Sequence, residues 1–228
     1  MNSIAPSRPI RFPAGEKLAV AAFGAHPDDI ESGMAGTLMK YKEAGHDIYW
    51  VIATDGRRGG KTPGKELAAI RRNESLAAAA HFGLKPVFLD FEDGRLVCDA
   101  ESYNRVIEIY DRIKPDIVFT HDPNDYHPDH RAISRLVTDA SWVPVFYADT
   151  LNGINFAPEF YVNISDHFER KAKALREHKS QEPEKIFARM ELQNRFRALQ
   201  CMGEVEYAEA FRLFPRADFA NAYQLLPV

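Results

Sequence analysis

Two short stretches of this 228-residue sequence are dense in side chains that can bind a metal or move a proton. The first is Ala25-His26-Pro27-Asp28-Asp29. The second is His121-Asp122-Pro123-Asn124-Asp125-Tyr126-His127-Pro128-Asp129-His130. Together they hold four of the eight histidines, His26, His121, His127 and His130, mixed with five aspartates. Imidazole and carboxylate are the donors of catalytic zinc sites, where three protein ligands leave one position open.

Proline suits the first position of a helix, where its missing N–H costs nothing. His26 and Asp29 are three apart and face one way across a first helical turn, while Asp28 points elsewhere. One cation can therefore take His26 and Asp29, with Asp28 left beside a water at the open position. His127-Pro128-Asp129-His130 repeats the spacing at a second helix start. In this reading the cation lowers the pKa of water towards about 7 and polarises a carbonyl. Asp28 is the general base, and His127 stabilises the oxyanion or protonates the leaving nitrogen. Asp125 or Asp129 orients His127 by a hydrogen bond. Taken singly, each group has a plainer role: Asp28 or Asp29 as a helix cap, His127 or His130 as a solvated loop residue.

The elements that must position these groups are legible from periodicity. Residues 17–24 form a nearly continuous apolar run, as in a strand buried on both faces. Helical spacing follows over 28–44 and ends at Gly45. Further strands are expected at 47–54, 86–91, 116–120 and 143–147, and helices at 65–82, 100–114 and 130–141. This alternation predicts an α/β fold, a Rossmann-like, mostly parallel doubly wound sheet. Beyond 150 the pattern loosens into strands at 159–164 and 206–214 and helices at 166–180 and 187–202, a small C-terminal α+β extension. Residues 1–16 are expected as an extended arm and 17–150 as the core carrying the metal site. Residues 151–228 complete the same domain and the substrate rim, with 148–158 a loop at its mouth. In the common strand order 3-2-1-4-5, strands one and four are neighbours where the winding reverses, and ligands bind at such a point. The two histidine clusters follow these two strands.

Composition narrows the partners. Hydrophobic residues at 45% and charged residues at 27% are ordinary for a globular chain. A net charge of −4 offers no bulk positive field for nucleic acid. No stretch has membrane-span length or signal-peptide form. The expectation is a cytoplasmic protein without membrane insertion that acts on a small molecule. Cys98 and Cys201 form no CxxC and are expected as reduced bystanders. The glycine-rich loop 56–64 has no Walker pattern, and Arg57, Arg58 and Lys61 are read as a charged rim.

The clusters resemble the two signature motifs of the PIG-L/LmbE-like deacetylases, which include the N-acetylglucosaminyl-phosphatidylinositol, mycothiol-pathway and bacillithiol-pathway enzymes. Ala25 to Asp29 is similar to the first motif and Thr120 to His130 to the second. Weaker resemblances lie at Thr54-Asp55-Gly56, Arg71-Arg72-Asn73-Glu74, the segment 171–181 with His178-Lys179-Ser180-Gln181, and Tyr207-Ala208-Glu209-Ala210-Phe211. The likeness spans roughly residues 17–214. It implies zinc-dependent deacetylation of an N-acetylglucosamine-type sugar conjugate. It implies His26, Asp29 and His130 as ligands, Asp28 as base and His127 as the electrostatic or acid residue. It also implies Arg71 and, less directly, Asp93 in substrate binding; for Arg71 and Glu74 the alternative is a helix-surface ion pair. A homo-oligomer is compatible with the family.

Other readings stay open at this level. The amide could belong to another N-acyl small molecule, such as an antibiotic. Two histidines and a carboxylate also suit Fe2+, and with it a non-haem oxygenase; the extra Asp28 and His127 favour hydrolysis. A non-catalytic sugar-binding module on the same fold need not carry a stoichiometric metal.

Overall fold

The structure, a computed structural model, describes residues 16–61, 63–149, 153, 155–201 and 203–215. The five expected core strands are present: β1 (Ala19–Gly24), β2 (Asp47–Thr54), β3 (Val87–Phe91), β4 (Ile117–His121) and β5 (Val145–Ala148). They pair in parallel in the order β3-β2-β1-β4-β5, so β1 and β4 flank the reversal of winding. Two further strands, β6 (Phe160–Asn163) and β7 (Ala208–Leu213), join antiparallel to give β3-β2-β1-β4-β5-β7-β6. The extension thus continues the same sheet.

Each central strand feeds two cores, because successive residues point to opposite faces. Ala22, Trp50, Ile52, Phe119 and Phe146 pack on one side, Ala21, Phe23, Val51, Val118 and Val145 on the other. The first side is covered by α2 (Ala35–Glu43), α3 (Lys65–Ala80) and α6 (Phe168–Leu175), the second by α4 (Ala100–Ile113) and α5 (Pro128–Ala140). A last helix, α7 (Pro183–Gln200), packs against β7.

Three helix boundaries differ from the periodicity. The helix expected over 28–44 is two pieces, α1 (Asp29–Gly33) and α2, broken at Met34 with φ −147°. The break creates a second N-terminus with free N–H groups. Glu209 of β7 fills it, accepting from the N–H groups of Gly36 at 3.0 Å and Thr37 at 2.7 Å. Lys171 neutralises that carboxylate at 2.6 Å, both side chains being fully buried. The helix expected over 166–180 stops at Leu175, followed by a 3-10 turn at Lys179–Gln181. The helix expected from 187 begins at Pro183, after Glu182 at φ 51° reverses the chain.

The expected N-terminal arm lies, but for Glu16, outside the described residues, as do parts of the expected mouth loop at 150–152 and 154. No described helix is long and apolar enough to cross a membrane. Cys98 and Cys201 are free thiols.

Candidate metal and catalytic site

Phe23 of β1 lies opposite Thr120 of β4, so the chain leaves both strands side by side carrying His26 and His121. A cavity of about 360 Å³ opens there, with His26, Asp28, Asp29, His127 and His130 in its wall.

His26 Nδ1 is 3.4 Å from Asp29 Oδ2. His130 Nε2 is 3.4 Å from the same oxygen, and the two ring nitrogens are 3.1 Å apart. Ligand bonds of about 2.0–2.1 Å at tetrahedral angles put neighbouring donor atoms about 3.3 Å apart. The three atoms already have that spacing, so the residues fit a small divalent cation. Carboxylates stand behind both rings, as they do behind most ligating imidazoles. His26 Nε2 is 3.2 Å from Asp129 Oδ2 and 3.2 Å from Asp93 Oδ1. His130 Nδ1 is 3.0 Å from Asp125 Oδ2, without the alignment of a hydrogen bond.

The electrostatics also call for a cation. Burial disfavours a charged His26, yet hydrogen bonds to Asp129, Asp29 and Asp93 raise its pKa well above the ordinary value. Burial opposes ionisation of Asp29, but His130 and His121 hold its carboxyl well below the usual range.

Three other donor sets exist among the described residues, one of which replaces Asp29 by His127 beside His26 and His130. His26, Asp93 and Asp129 lie on the far side of the His26 ring. Asp29, His121 and His130 also approach one another, but the rings of His121 and His130 stack at 3.9 Å and 22°. The in-plane lone pairs of near-parallel rings do not converge on one ion. His121, to which the sequence assigned no role, instead packs behind the site. Its Nε2 accepts the N–H of Ala25 at 3.0 Å and lies 3.1 Å from Asp29 Oδ2. The available signal was its place at the end of β4 among the clustered histidines.

Asp125 and Asp129 both hydrogen-bond His127, but no carboxylate holds its ring. The carboxylates of Asp125 and Asp129 face His130 and His26. His127 caps α5, its Nδ1 accepting the backbone N–H of Asp129 at 3.2 Å. Its own N–H donates to Asp125 Oδ1 at 2.9 Å. Burial, with the charges of His26 and His130, lowers its pKa. A neutral ring whose Nδ1 accepts must carry its proton on Nε2, as a donor. A ring nitrogen of His127 lies within 4.8 Å of ligating nitrogens of His26 and His130.

Asp28 sits at φ 109°, a left-handed value that costs a non-glycine residue energy and recurs at functional sites. Burial raises its pKa, Arg71 pulls it back, and the Asp29 charge raises it further. Arg71 Nη2 is 3.1 Å from Asp28 Oδ2. Arg71 is 3% exposed, and its other contacts are the carbonyls of Pro27 and Gly56. It borders the cavity, but these donors serve Asp28 and the loop, and it is no helix-surface ion pair with Glu74. The glycine loop makes room for it: a Cβ at Gly56, already at φ 67°, would come 2.8 Å from Nη1, and one at Gly59 would collide with the same atom.

Asp93 is buried behind His26, and its Oδ2 accepts the N–H of Arg58 at 2.8 Å. Burial opposes its ionisation, but the hydrogen bond and charge of His26 hold it at about 2. Tyr126, Gln181 and Arg189 also border the cavity; Arg189, on α7, belongs to no motif.

A family model described as PIG-L, GlcNAc-PI de-N-acetylase, matches residues 21–141. The chain is 32% identical to a diacetylchitobiose deacetylase of Thermococcus kodakarensis, over 90% of this chain and 86% of that protein. The structure of an N,N'-diacetylchitobiose deacetylase from Pyrococcus horikoshii, complexed with its inhibitor, matches with TM-score 0.77 at 30% identity. That match covers 86% of this chain and 83% of the other. A 4-carboxy-2-hydroxymuconate hydratase from Pseudomonas putida matches with TM-score 0.78 at 22% identity, over 89% of this chain and 98% of that one, a likeness of fold alone. The family match over more than half the sequence, the sheet order and the convergence of both motifs on one cavity agree: the chain belongs to the PIG-L family.

Proposed function

We propose that this protein is a zinc-dependent N-deacetylase acting on an N-acetylglucosamine-type sugar conjugate. The observation that carries the reading is that Asp28, paired with Arg71 through Oδ2, shares one cavity wall with His26, Asp29 and His130. Zinc held by those three residues would supply Lewis acidity towards the amide carbonyl and acidity to the attacking water. Asp28 takes the proton that water loses as its oxygen bonds to the carbonyl carbon. His127 donates a hydrogen bond to the carbonyl oxygen as that oxygen gains charge. The C–N bond then breaks, the proton passes from Asp28 to the leaving nitrogen, the second water proton follows it from the nascent acid, and the products are acetate and the protonated amine. Asp93, Asp125 and Asp129 orient the ligand imidazoles, and Arg71 orients Asp28.

The cavity has the size of a small-molecule site. The two deacetylases of about 30% identity are named for diacetylchitobiose, which makes that compound the first to test. The hydratase of similar fold shows that architecture alone does not choose the reaction. The experiment is acetate release from N,N'-diacetylchitobiose and other N-acetyl amino sugars by the zinc-loaded protein. Asp28→Asn should retain the metal and lose at least about a hundredfold in kcat. Undiminished turnover by Asp28→Asn removes Asp28 as the base. A metal-loaded parent that releases no acetate from any of these amides removes the deacetylase reading.

A further inference from the structure

The segment His178-Lys179-Ser180-Gln181 between α6 and α7 has no part in the chemistry described so far. His178 is fully buried, and its Nε2 lies 2.9 Å from Oε1 of Glu31, 147 positions away and 1% exposed. Two residues on, the backbone N–H and the hydroxyl of Ser180 donate to Glu74 at 2.8 and 2.7 Å. Glu31 stands three residues after Asp28, and Glu74 three after Arg71. Each anchor is therefore about one helical turn from one member of the Asp28–Arg71 pair. Gln181 continues into the cavity wall.

The neighbourhood needs such support. α1 has five residues, too few to hold its own shape. Asp28, at its N-terminus, has no side-chain capping bond and a strained backbone. Strain of that kind persists only where the surroundings over-determine it. The His178–Glu31 contact is also a poor device for stability alone. Glu31 Oε2 and His178 Nδ1 are buried without hydrogen-bond partners, and apolar side chains in place of a buried ionic pair are often no less stable.

We propose that residues 178–181 form a clamp that positions the Asp28–Arg71 pair, His178 holding α1 through Glu31 and Ser180 holding α3 through Glu74. His178 and Ser180 are positioning residues in this scheme, and their effect on turnover rests on Asp28 being the base.

The test is steady-state kinetics of zinc-loaded variants on N,N'-diacetylchitobiose, with metal content measured alongside. His178→Ala should lower kcat about tenfold or more, since small misplacements of reacting groups are costly. KM should stay within about threefold and zinc should be retained, because the ligands are untouched. His178→Gln, whose amide can donate to Glu31, should restore most of the loss. Glu31→Ala added to His178→Ala should cause little further loss, as expected of one coupled unit. Ser180→Ala should give a smaller fall of the same kind, and it carries the test with His178→Gln if His178→Ala does not fold. Values of kcat within twofold of the parent in both His178→Ala and Ser180→Ala overturn the clamp, as does a loss that appears only in KM. A crystal structure of His178→Gln and Ser180→Ala separates this inference from the functional reading. If the parent releases no acetate, the reaction assignment fails. A Ser180→Ala structure with Asp28 and Arg71 undisplaced then overturns the clamp, and a displaced pair supports it.

Discussion

The backbone N–H of Asp129 decides what His127 can do. By occupying Nδ1 it leaves the ring a single polar hydrogen, on Nε2. His127→Ala should therefore lower kcat by about a hundred- to a thousandfold while zinc content stays at the parent level, measured by kinetics and metal analysis. Gly59→Ala tests the room left for Arg71, since its Cβ would strike the guanidinium. Its kcat should fall several-fold, with a smaller change in KM. Titration of the metal-free protein follows from the same cluster. Asp93 is held at about 2, so its contribution to stability is complete above the ordinary carboxyl value near 4 and is lost as pH falls through about 2. His26 is raised, so its contribution is complete below 6.5 and is lost as pH rises through the raised value. Thermal melts of chelator-treated protein should fall as pH drops from about 4 towards 2, and Asp93→Asn should flatten that acid limb. At this scale the sequence was legible where residue type alone sets chemistry: His26, Asp28, Asp29 and His130 converge as their motifs suggest. It was not legible where orientation depends on a distant or backbone partner. Arg71 turns to Asp28, and the ring of His127 is held by the backbone N–H of Asp129 rather than by a carboxylate.

Elements fail to follow periodicity where a remote side chain rewards a break. The apolar spacing of Ile30, Met34, Leu38 and Tyr41 is genuine, and those residues are all buried. Nothing in that stretch announces that Glu209, 173 positions from Gly36, will cap a restarted helix. Removing one partner of the buried Lys171–Glu209 pair leaves an uncompensated charge. Lys171→Met should cost about 3–5 kcal/mol in denaturant unfolding, far more than loss of an exposed ion pair. Close approach also fixes the glycine in α2. A Cβ at Gly36 would come 2.7 Å from Ile164 Cγ2, so Gly36→Ala should destabilise by about 1–3 kcal/mol. An unchanged unfolding midpoint would show that Ile164 can give way.

Across the whole molecule, the strand order of the core could be anticipated because alternating strands and helices admit few right-handed windings. The placement of β6 and β7 could not, since short antiparallel strands after a loop have no comparable rule. Zinc should stabilise the native protein by RT ln(1+[L]/Kd), about 4 kcal/mol at a thousandfold excess over Kd, read as a chelator-sensitive rise in melting temperature. The donors responsible, on His26 and His130, are 104 positions apart. Neither half of that pincer can grip an ion while β1 and β4 are still separate. Loading is therefore a late step, open only to a chain whose central seam has already zipped. The residence time of the ion should then be governed by how often that seam breathes, and the rates of metal release and of hydrogen exchange at Ala21, Ala22 and Phe23 should rise and fall together.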